Sequence, residues 1–227
     1  MESLHKLKQR IVECRKCPRL VGFRESVART KRKQFMDWDY WGKPVPGYGS
    51  HDAKLLIVGL APAAHGGNRT GRVFTGDKSA EFLFKCMYDV GLSNQPNSHS
   101  LDDGLLLKDS FMTPVLKCVP PGDKPKSEEL KNCLPYFDSE INLLRNIRCI
   151  LALGKIAFDG CLKFWRKRYD IRVKDYPFRH ENVYKMPDGK ILIGCYHPSP
   201  RNVNTKRLTH QQMVSLLKMV KRLAGVS

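Results

Sequence analysis

Apolar and polar positions along the 227-residue chain follow two different spacings. Short apolar runs predict four buried strands, over residues 53–61, 109–118, 147–154 and 190–200. Apolar residues at helical spacing predict helices over residues 1–12, 79–92, 127–144, 155–169 and 207–225. Strands that alternate with helices predict an α/β fold, a three-layer α/β/α arrangement with a central, mainly parallel four-stranded sheet.

Two stretches depart from this pattern. Pro135 lies inside the predicted helix over 127–144 and is expected to break or kink it, because proline removes a helix hydrogen bond. Residues 24–51 are basic, aromatic and loop-like in pattern. No linker and no internal repeat divides the chain, so a single domain over residues 1–227 is expected.

The loops after the first and the fourth predicted strand are the candidate functional segments. They are residues 59–77, "GLAPAAHGGNRTGRVFTGD", and residues 196–205, "YHPSPRNVNT". Ligands bind at the carboxyl ends of the strands in parallel sheets. Both loops are therefore expected to line one cleft.

The composition indicates a polyanionic partner. The chain has 40 Lys and Arg against 22 Asp and Glu, a formal net charge of +18, spread along its whole length. Such an excess favours nucleic acid over a small anionic substrate. Since no run of 18 apolar residues and no signal-peptide pattern is present, we expect a cytoplasmic protein without membrane contact. Nothing in the sequence calls for an oligomer, so a monomer is expected.

The eight cysteines divide into two groups by their surroundings. Four lie in apolar runs and are expected to be small buried hydrophobic residues: Cys86, Cys149, Cys161 and Cys195. Four lie in polar, proline-containing segments and are expected to converge on a metal: Cys14, Cys17, Cys118 and Cys133. Their spacing leaves structural zinc and an iron–sulfur cluster both open, and the first two could also be incidental.

The first loop contains neither a phosphate-binding loop nor a dinucleotide fingerprint. Its glycines and Pro62 would instead bring main-chain N–H groups close to a bound planar group, on which Phe74 would stack. Asn68, Arg69 and Arg72 would donate hydrogen bonds to phosphates or base edges. The alternative is a loop that is merely flexible.

The second loop contains His197, close after a buried strand, and Pro198 and Pro200 stiffen the chain that follows it. A histidine held at the carboxyl end of a strand in this way favours a catalytic role over a structural one. Four short donors that suit a DNA backbone follow it: Ser199, Arg201, Asn202 and Asn204.

Together these segments resemble the uracil-DNA glycosylase superfamily, and specifically its iron–sulfur branch, family 5. The resemblance rests on both loops, on "YWGKPVPGYG" and on the four cysteines as spaced, and it covers most of the chain. The sister family 4 has "GEAPG" at the first motif, where Leu60 here replaces the glutamate. In the best-known branch an aspartate would fall at Ala61.

The resemblance implies a structural [4Fe–4S] cluster held by four thiolates, those of Cys14, Cys17, Cys118 and Cys133. It also implies removal of uracil, and with it hypoxanthine and xanthine, from DNA that contains deaminated bases. The chain departs from the family's "PPGNKP" at "PPGDKP". Asp123 in place of asparagine would alter base preference or rate.

The chemistry of base release then assigns roles to the loop residues. The base must be extruded from the duplex, and cleavage builds negative charge on it, chiefly at O2. His197 is predicted to stabilise this oxyanion. Asp77 is predicted to orient water, with helix capping as a competing role and Asp123 as a second candidate. The base-binding set is Gly59, Leu60, Ala61, Ala63, Phe74 and Asp123.

Three other functions compete with this one. A family 4-type enzyme would release uracil only, and Leu60 argues against it. A non-catalytic iron–sulfur DNA-binding protein would share the charge and the cysteines, without needing His197 and Phe74 on one cleft. An electron carrier would need an acidic or neutral docking face, which a net charge of +18 disfavours.

Overall fold

A six-stranded sheet forms the centre of the computed structural model, which describes residues 2–226. Its strands are β1 (Tyr48–Gly49), β2 (Leu55–Gly59), β3 (Ser110–Pro114), β4 (Cys149–Leu153), β5 (Val183–Lys185) and β6 (Ile191–Cys195). Their order is β1-β3-β2-β4-β6-β5. The four predicted strands are the central parallel ones. The antiparallel edge strands β1 and β5 were not predicted, because two or three residues are too few to show an alternating pattern.

Eight α-helices lie between and around the strands of the described chain. They are α1 (Leu4–Val12), α2 (Pro18–Thr30), α3 (Gly67–Thr70), α4 (Lys78–Asp89), α5 (Ser127–Leu143), α6 (Lys155–Arg166), α7 (Pro200–Asn204) and α8 (His210–Ala224). All five predicted helices are confirmed, as α1, α4, α5, α6 and α8. The short helices α3 and α7 lie inside the two candidate loops.

Two predictions about irregular segments need correction. Residues 24–30 belong to α2, and the loop-like stretch begins only after Thr30. Pro135 does not break α5, which continues through it, while the alternative of a kink stays a prediction. Packing of α5 against the sheet offsets the one hydrogen bond that proline removes.

Alternate residues of the central strands point to opposite faces of the sheet and build two separate cores. Leu55 and Ile57 of β2 pack on one side, in the core that also includes residues of α4 and α8. Leu56 and Val58 pack on the other side, in the core that includes residues of α5 and α6. Helices on both faces confirm the predicted three-layer α/β/α fold.

A third, smaller apolar cluster joins the amino-terminal helices to the rest of the fold. Leu7 and Ile11 of α1 and Leu20 of α2 pack there against Leu116 and Tyr136. The four cysteines predicted to be hydrophobic core residues are confirmed as completely buried. Between residues 2 and 226 no helix combines the length and apolar character needed to cross a bilayer.

Candidate active site

The two candidate loops line one cleft of about 990 Å³, as predicted from their positions after strands. The first loop follows β2 and contributes Leu60, Ala61 and Ala63 to its wall, together with Phe74. The second loop follows β6 and contributes His197. The carboxyl ends of two parallel strands therefore place an aromatic ring and an imidazole on the same cavity.

Phe74 and His197 form the centre of this cleft. Their rings are stacked, with centroids 6.0 Å apart and planes inclined by 29°. Phe74 has a φ of 51°, a left-handed backbone conformation that is uncommon for a bulky residue. Such strain persists only where the surrounding packing holds it, and it is frequent at functional sites.

Gly59, the last residue of β2, leaves room for the Phe74 ring. A β-carbon at Gly59 would lie 2.7 Å from Cε2 and 2.9 Å from Cζ of that ring. We therefore expect Gly59→Ala to displace Phe74 and to lower kcat/KM for base release by about 10- to 100-fold, since small misplacements in a site are costly. Steady-state kinetics would measure this.

Gly22→Ala is the matched control for that substitution. Gly22 is exposed within α2, and nothing lies within 4 Å of an added β-carbon. It should keep full activity and stabilise the protein by about 0.5–1 kcal/mol. Equal activity of the two alanine variants would contradict a role for the Phe74 ring position.

His197 is held by its main chain, which leaves its ring free. Its carbonyl oxygen accepts hydrogen bonds from the Ser199 N–H and the Asn202 amide, each at 2.8 Å. Neither ring nitrogen has a hydrogen-bond partner within residues 2–226. Burial lowers the pKa of His197 below its ordinary value of 6.5, and the charge of Asp123 offsets this in part. The imidazole is therefore neutral at neutral pH and presents an N–H donor.

Asp77 caps α4 and also borders the cleft. Its Oδ1 accepts a hydrogen bond of 3.0 Å from the main-chain N–H of Ala80, and its carboxylate packs against Gly66. The capping role is thus confirmed, whereas the chemical role stays a prediction. Burial raises the pKa of Asp77 above its ordinary value of 3.8, and two main-chain N–H groups oppose this shift.

Asp123 enters the same cleft from the segment after β3. Its φ of 57° places it in the left-handed region, in a short turn directly after Gly122. Its charge raises the pKa of His197, which lines the same cleft. Two carboxylates therefore line the cleft, those of Asp77 and Asp123.

Three donors of the first loop that were predicted to contact phosphates or base edges are buried, and for Asn68 and Arg72 the prediction was wrong. The Asn68 amide donates to the carbonyl oxygen of Arg24 inside the protein. Arg72 forms an ion pair of 2.7 Å with Asp103. Arg69 lines the cleft but is only 3% exposed; its Nε and Nη2 donate to main-chain carbonyl oxygens, and its Nη1 has no partner among residues 2–226. Its contact with DNA stays a prediction.

The predicted donors of the second loop remain partly accessible. Ser199 caps α7, and its hydroxyl accepts from the main-chain N–H of Asn202. Asn202 positions the His197 carbonyl group, as described above, so its side chain supports the loop. Arg201 is exposed at the start of α7 and stays a candidate for contact with DNA.

Comparison with known proteins assigns a family to this cleft. The family model of the uracil DNA glycosylase superfamily matches residues 46–221. A type-5 uracil-DNA glycosylase of Thermus thermophilus is 43% identical over 218 residues, which cover 96% of this chain and 97% of the relative. Another type-5 enzyme, of Mycobacterium leprae, is 43% identical over 226 residues, 99% of this chain and 97% of the relative.

The chain belongs to the uracil-DNA glycosylase superfamily, in its type-5 branch. A type-4 uracil-DNA glycosylase of Sulfurisphaera tokodaii is similar at only 25% identity, over 93% of this chain and 82% of the relative. The Leu60 difference noted in the first motif agrees with this order of similarity.

In this type-5 glycosylase the four cysteines of polar segments come together in the third apolar cluster. Cys118 and Cys133 are buried in it, and Cys14 and Cys17 pack against it. All four thiols are free. Within residues 2–226 no group of three or more His, Cys, Asp or Glu side chains is arranged to hold a metal ion. A four-iron cluster separates its thiolates more widely than a single ion does.

The surroundings of Arg24 indicate whether the cysteine cluster can hold an anionic group. Its guanidinium is 2% exposed, and Nη1 lies 3.0 Å from Sγ of Cys118. Its Nε has no partner, and the nearest carboxylate oxygen, on Glu25, lies 3.9 Å from Nη2. The guanidinium also donates to the Cys14 carbonyl oxygen, at 3.2 Å. With no carboxylate oxygen nearer than 3.9 Å, this buried cation favours anionic sulfur at Cys118. The surroundings of Cys118 therefore fit a thiolate bound to a metal, as in a zinc site or an iron–sulfur cluster.

Sequence reasoning missed the part that residues 32–40 play in this glycosylase's cleft. The Tyr40 hydroxyl lies 3.0 Å from Nδ1 of His65, and both Phe35 and Trp38 line the cleft. Burial lowers the pKa of His65, as do the charges of Arg32 and Arg69. The only signal for this wall in the sequence is the mixture of basic and aromatic residues after Thr30.

Proposed function

We propose that the protein is a monofunctional DNA glycosylase that hydrolyses the N-glycosidic bond of uracil, hypoxanthine and xanthine extruded from DNA. The observation that carries the proposal is the stacked pair of Phe74 and His197 in one cleft. Excess positive charge supports DNA as the partner. We further propose that the protein acts as a monomer, in the cytoplasm.

The extruded base stacks on Phe74 in this mechanism, between the main chain of Gly59 to Ala63 and the imidazole of His197. When the bond between C1′ and the base nitrogen breaks, its electron pair goes to the base, and negative charge collects at O2. The neutral His197 ring donates a hydrogen bond to that oxygen. A preorganised donor at a developing charge is usually the largest catalytic contribution.

Water completes the reaction on the sugar side. Its oxygen bonds to C1′, and its proton passes to a carboxylate or to solvent, while the departing base takes up a proton in turn. The carboxylate of Asp77 orients this water and stabilises the positive charge on the sugar. Asp123, which lines the same cleft as His197, contacts the base and contributes to the choice of base.

Asp77→Asn separates this chemical role from helix capping. Asparagine caps a helix about as well as aspartate, so the melting temperature should stay within about 1 °C of wild type. We expect kcat to fall by about 10- to 100-fold, less than the usual effect of a general base, because the base leaves as a stabilised anion. Single-turnover kinetics and thermal unfolding would measure both.

The pH dependence gives an independent check on Asp77. Its pKa is raised above 3.8, so the carboxylate protonates as the pH falls through that higher value. Activity that needs the ionised group is lost there, and the Asn variant should lack this part of the acid limb. An Asn variant with wild-type kcat would leave Asp77 as a helix cap alone.

The cysteine cluster supports this site from outside. When bound, a [4Fe–4S] group would supply a rigid crosslink and no redox step. Cys14 and Cys17 would tie the amino-terminal helices to Cys118 and Cys133. The segment that carries Cys118 lies next to the cleft, since the Leu116 N–H donates to the Leu60 carbonyl oxygen at 2.9 Å.

A glycosylase assay tests the proposed function. Labelled duplexes would carry one uracil, hypoxanthine, xanthine or thymine opposite guanine, and alkali would cleave the resulting abasic sites. Release of uracil and hypoxanthine with thymine left intact supports the proposal. Release of uracil alone would contradict the wide substrate range. A folded, iron-containing protein that releases none of the bases would overturn the enzymatic function.

A further inference from the structure

A basic and aromatic segment, residues 29–43, forms part of the cleft wall without any role in the mechanism above. It carries five basic and two acidic residues. A short 3-10 turn at Lys33–Phe35 shapes it, closed by a hydrogen bond of 2.7 Å from the Phe35 N–H to the Arg32 carbonyl oxygen. This turn fixes the part of the segment that faces the cleft.

Arg69 anchors the segment to the first catalytic loop. The carbon at the centre of its guanidinium lies 3.9 Å from the ring centroid of Phe35 and 4.1 Å from that of Trp38. The same guanidinium donates to the carbonyl oxygens of His65 and Gly76, at 2.7 and 3.0 Å. The two hydrogen bonds fix the guanidinium within the first loop, and its two cation–π contacts join the segment to that loop.

Arg32 is the cation that this arrangement leaves available at the cleft. Its side chain is exposed and lines the same cavity as His197. Among residues 2–226 it has neither an ion-pair partner nor a side-chain hydrogen bond. His65 lines the same cavity, and the charge of Arg32 lowers the pKa of that imidazole. Arginine in such a setting suits a phosphate group, which it can bind through two N–H donors.

We propose that Arg32 binds a backbone phosphate of the DNA strand that carries the extruded base. The proposal rests on the proposed function, because it places the strand in the cleft that receives the base. Phe74 and His197 take the base, and Arg32 takes the phosphodiester at the wall formed by Phe35 and Trp38. The anchor through Arg69 means that little ordering is needed when DNA binds.

Lys33 provides a matched control for Arg32. It is the next residue, is exposed and carries the same charge, but it does not line the cleft. Arg32→Gln and Lys33→Gln therefore reduce the net charge equally. Only the first removes a cation from the cavity.

The experiment measures DNA affinity against salt concentration for the full-length, iron-loaded protein. The probe is a fluorescent duplex with 2′-fluoro-deoxyuridine opposite guanine, since the fluorine disfavours positive charge on the sugar and prevents cleavage. Log affinity falls as log salt rises, and each phosphate contact makes this fall steeper by about 0.9. We expect Arg32→Gln to make the fall shallower by about this amount, and Lys33→Gln to change it clearly less.

Neutral methylphosphonate linkages, placed one at a time around the fluorinated nucleotide, locate the contact. When the contacted linkage is neutral, the salt dependence of wild-type binding should become as shallow as that of Arg32→Gln. The salt dependence of Arg32→Gln itself should not change at that linkage. Equal slopes for the two glutamine variants would overturn the inference. A wild type that binds the probe but releases no base from ordinary duplexes would overturn the proposed function, and the slopes would still report on Arg32.

Discussion

Replacing His197 with alanine is expected to lower the rate of uracil release by about 10²–10³-fold, the usual cost of removing one donor from an oxyanion site. The imidazole is the side-chain donor next to Phe74, and its ring nitrogens are bonded to no other group of the described chain. Single-turnover kinetics with excess enzyme would isolate the chemical step from product release. Substrate affinity should change much less than rate, because the charge on O2 develops only as the bond breaks.

The protonation state of His197 adds a pH signature to this result. Burial lowers its pKa below 6.5, so the neutral donor is lost only as the pH falls through that lowered value. The midpoint of any loss of wild-type activity that His197 causes should therefore lie below pH 6.5. An acid limb centred above pH 6.5 would contradict a neutral imidazole as the donor.

His5→Ala is the control for the alanine substitution. His5 is exposed on α1 and bonds only to Gln9, so its removal should leave activity at the wild-type level. A His197→Ala protein that is folded and binds DNA but releases uracil at the wild-type rate would remove His197 from the mechanism. The main-chain N–H groups of the first loop would then have to stabilise the charge alone.

The pattern of strands and loops predicted where this site lies but not which polar side chains line it. Parallel strands deliver their following loops to one edge, so the meeting of Phe74 and His197 follows from sequence order alone. The direction in which a polar side chain points does not follow from sequence order. Asn68 and Arg72 are residue types that commonly contact DNA, yet each points inward and forms hydrogen bonds inside the protein.

The pattern of apolar and polar residues also does not predict contacts between distant segments. Tyr40 bonds to His65 across 25 positions, and Arg69 stacks on Phe35 from an even larger separation. Neither pair belongs to a regular helix or strand spacing, so no periodicity indicates it. The cysteines in apolar runs were predicted correctly as core residues, because their neighbours are apolar, whereas the metal-ligand role of the other four stays a prediction.

Cys133→Ala is expected to remove the bound iron and to lower the melting temperature by about 10 °C or more. Loss of a metal centre belongs to the few changes that cost more than about 4 kcal/mol, and each kcal/mol shifts the melting temperature of a chain of this size by about 2–4 °C. Cys133 lies on α5, whereas Cys14 and Cys17 precede α2. Without the group that joins them, the amino-terminal helices would be held by noncovalent contacts, among them the third apolar cluster, Leu4 in the second core and the ion pair of Arg19 with Glu129.

Cys161→Ala separates this effect from the loss of a buried sulfur atom. Cys161 lies on α6, which covers the same face of the sheet as α5, and is completely buried. It should keep its iron content and lose about 1 kcal/mol of stability, as an ordinary core truncation does. If both variants retained iron and melted alike, the cysteines would be core residues only. Iron loss confined to Cys133→Ala, with uracil release lost as the Leu60 segment shifts, would assign the cluster its structural role.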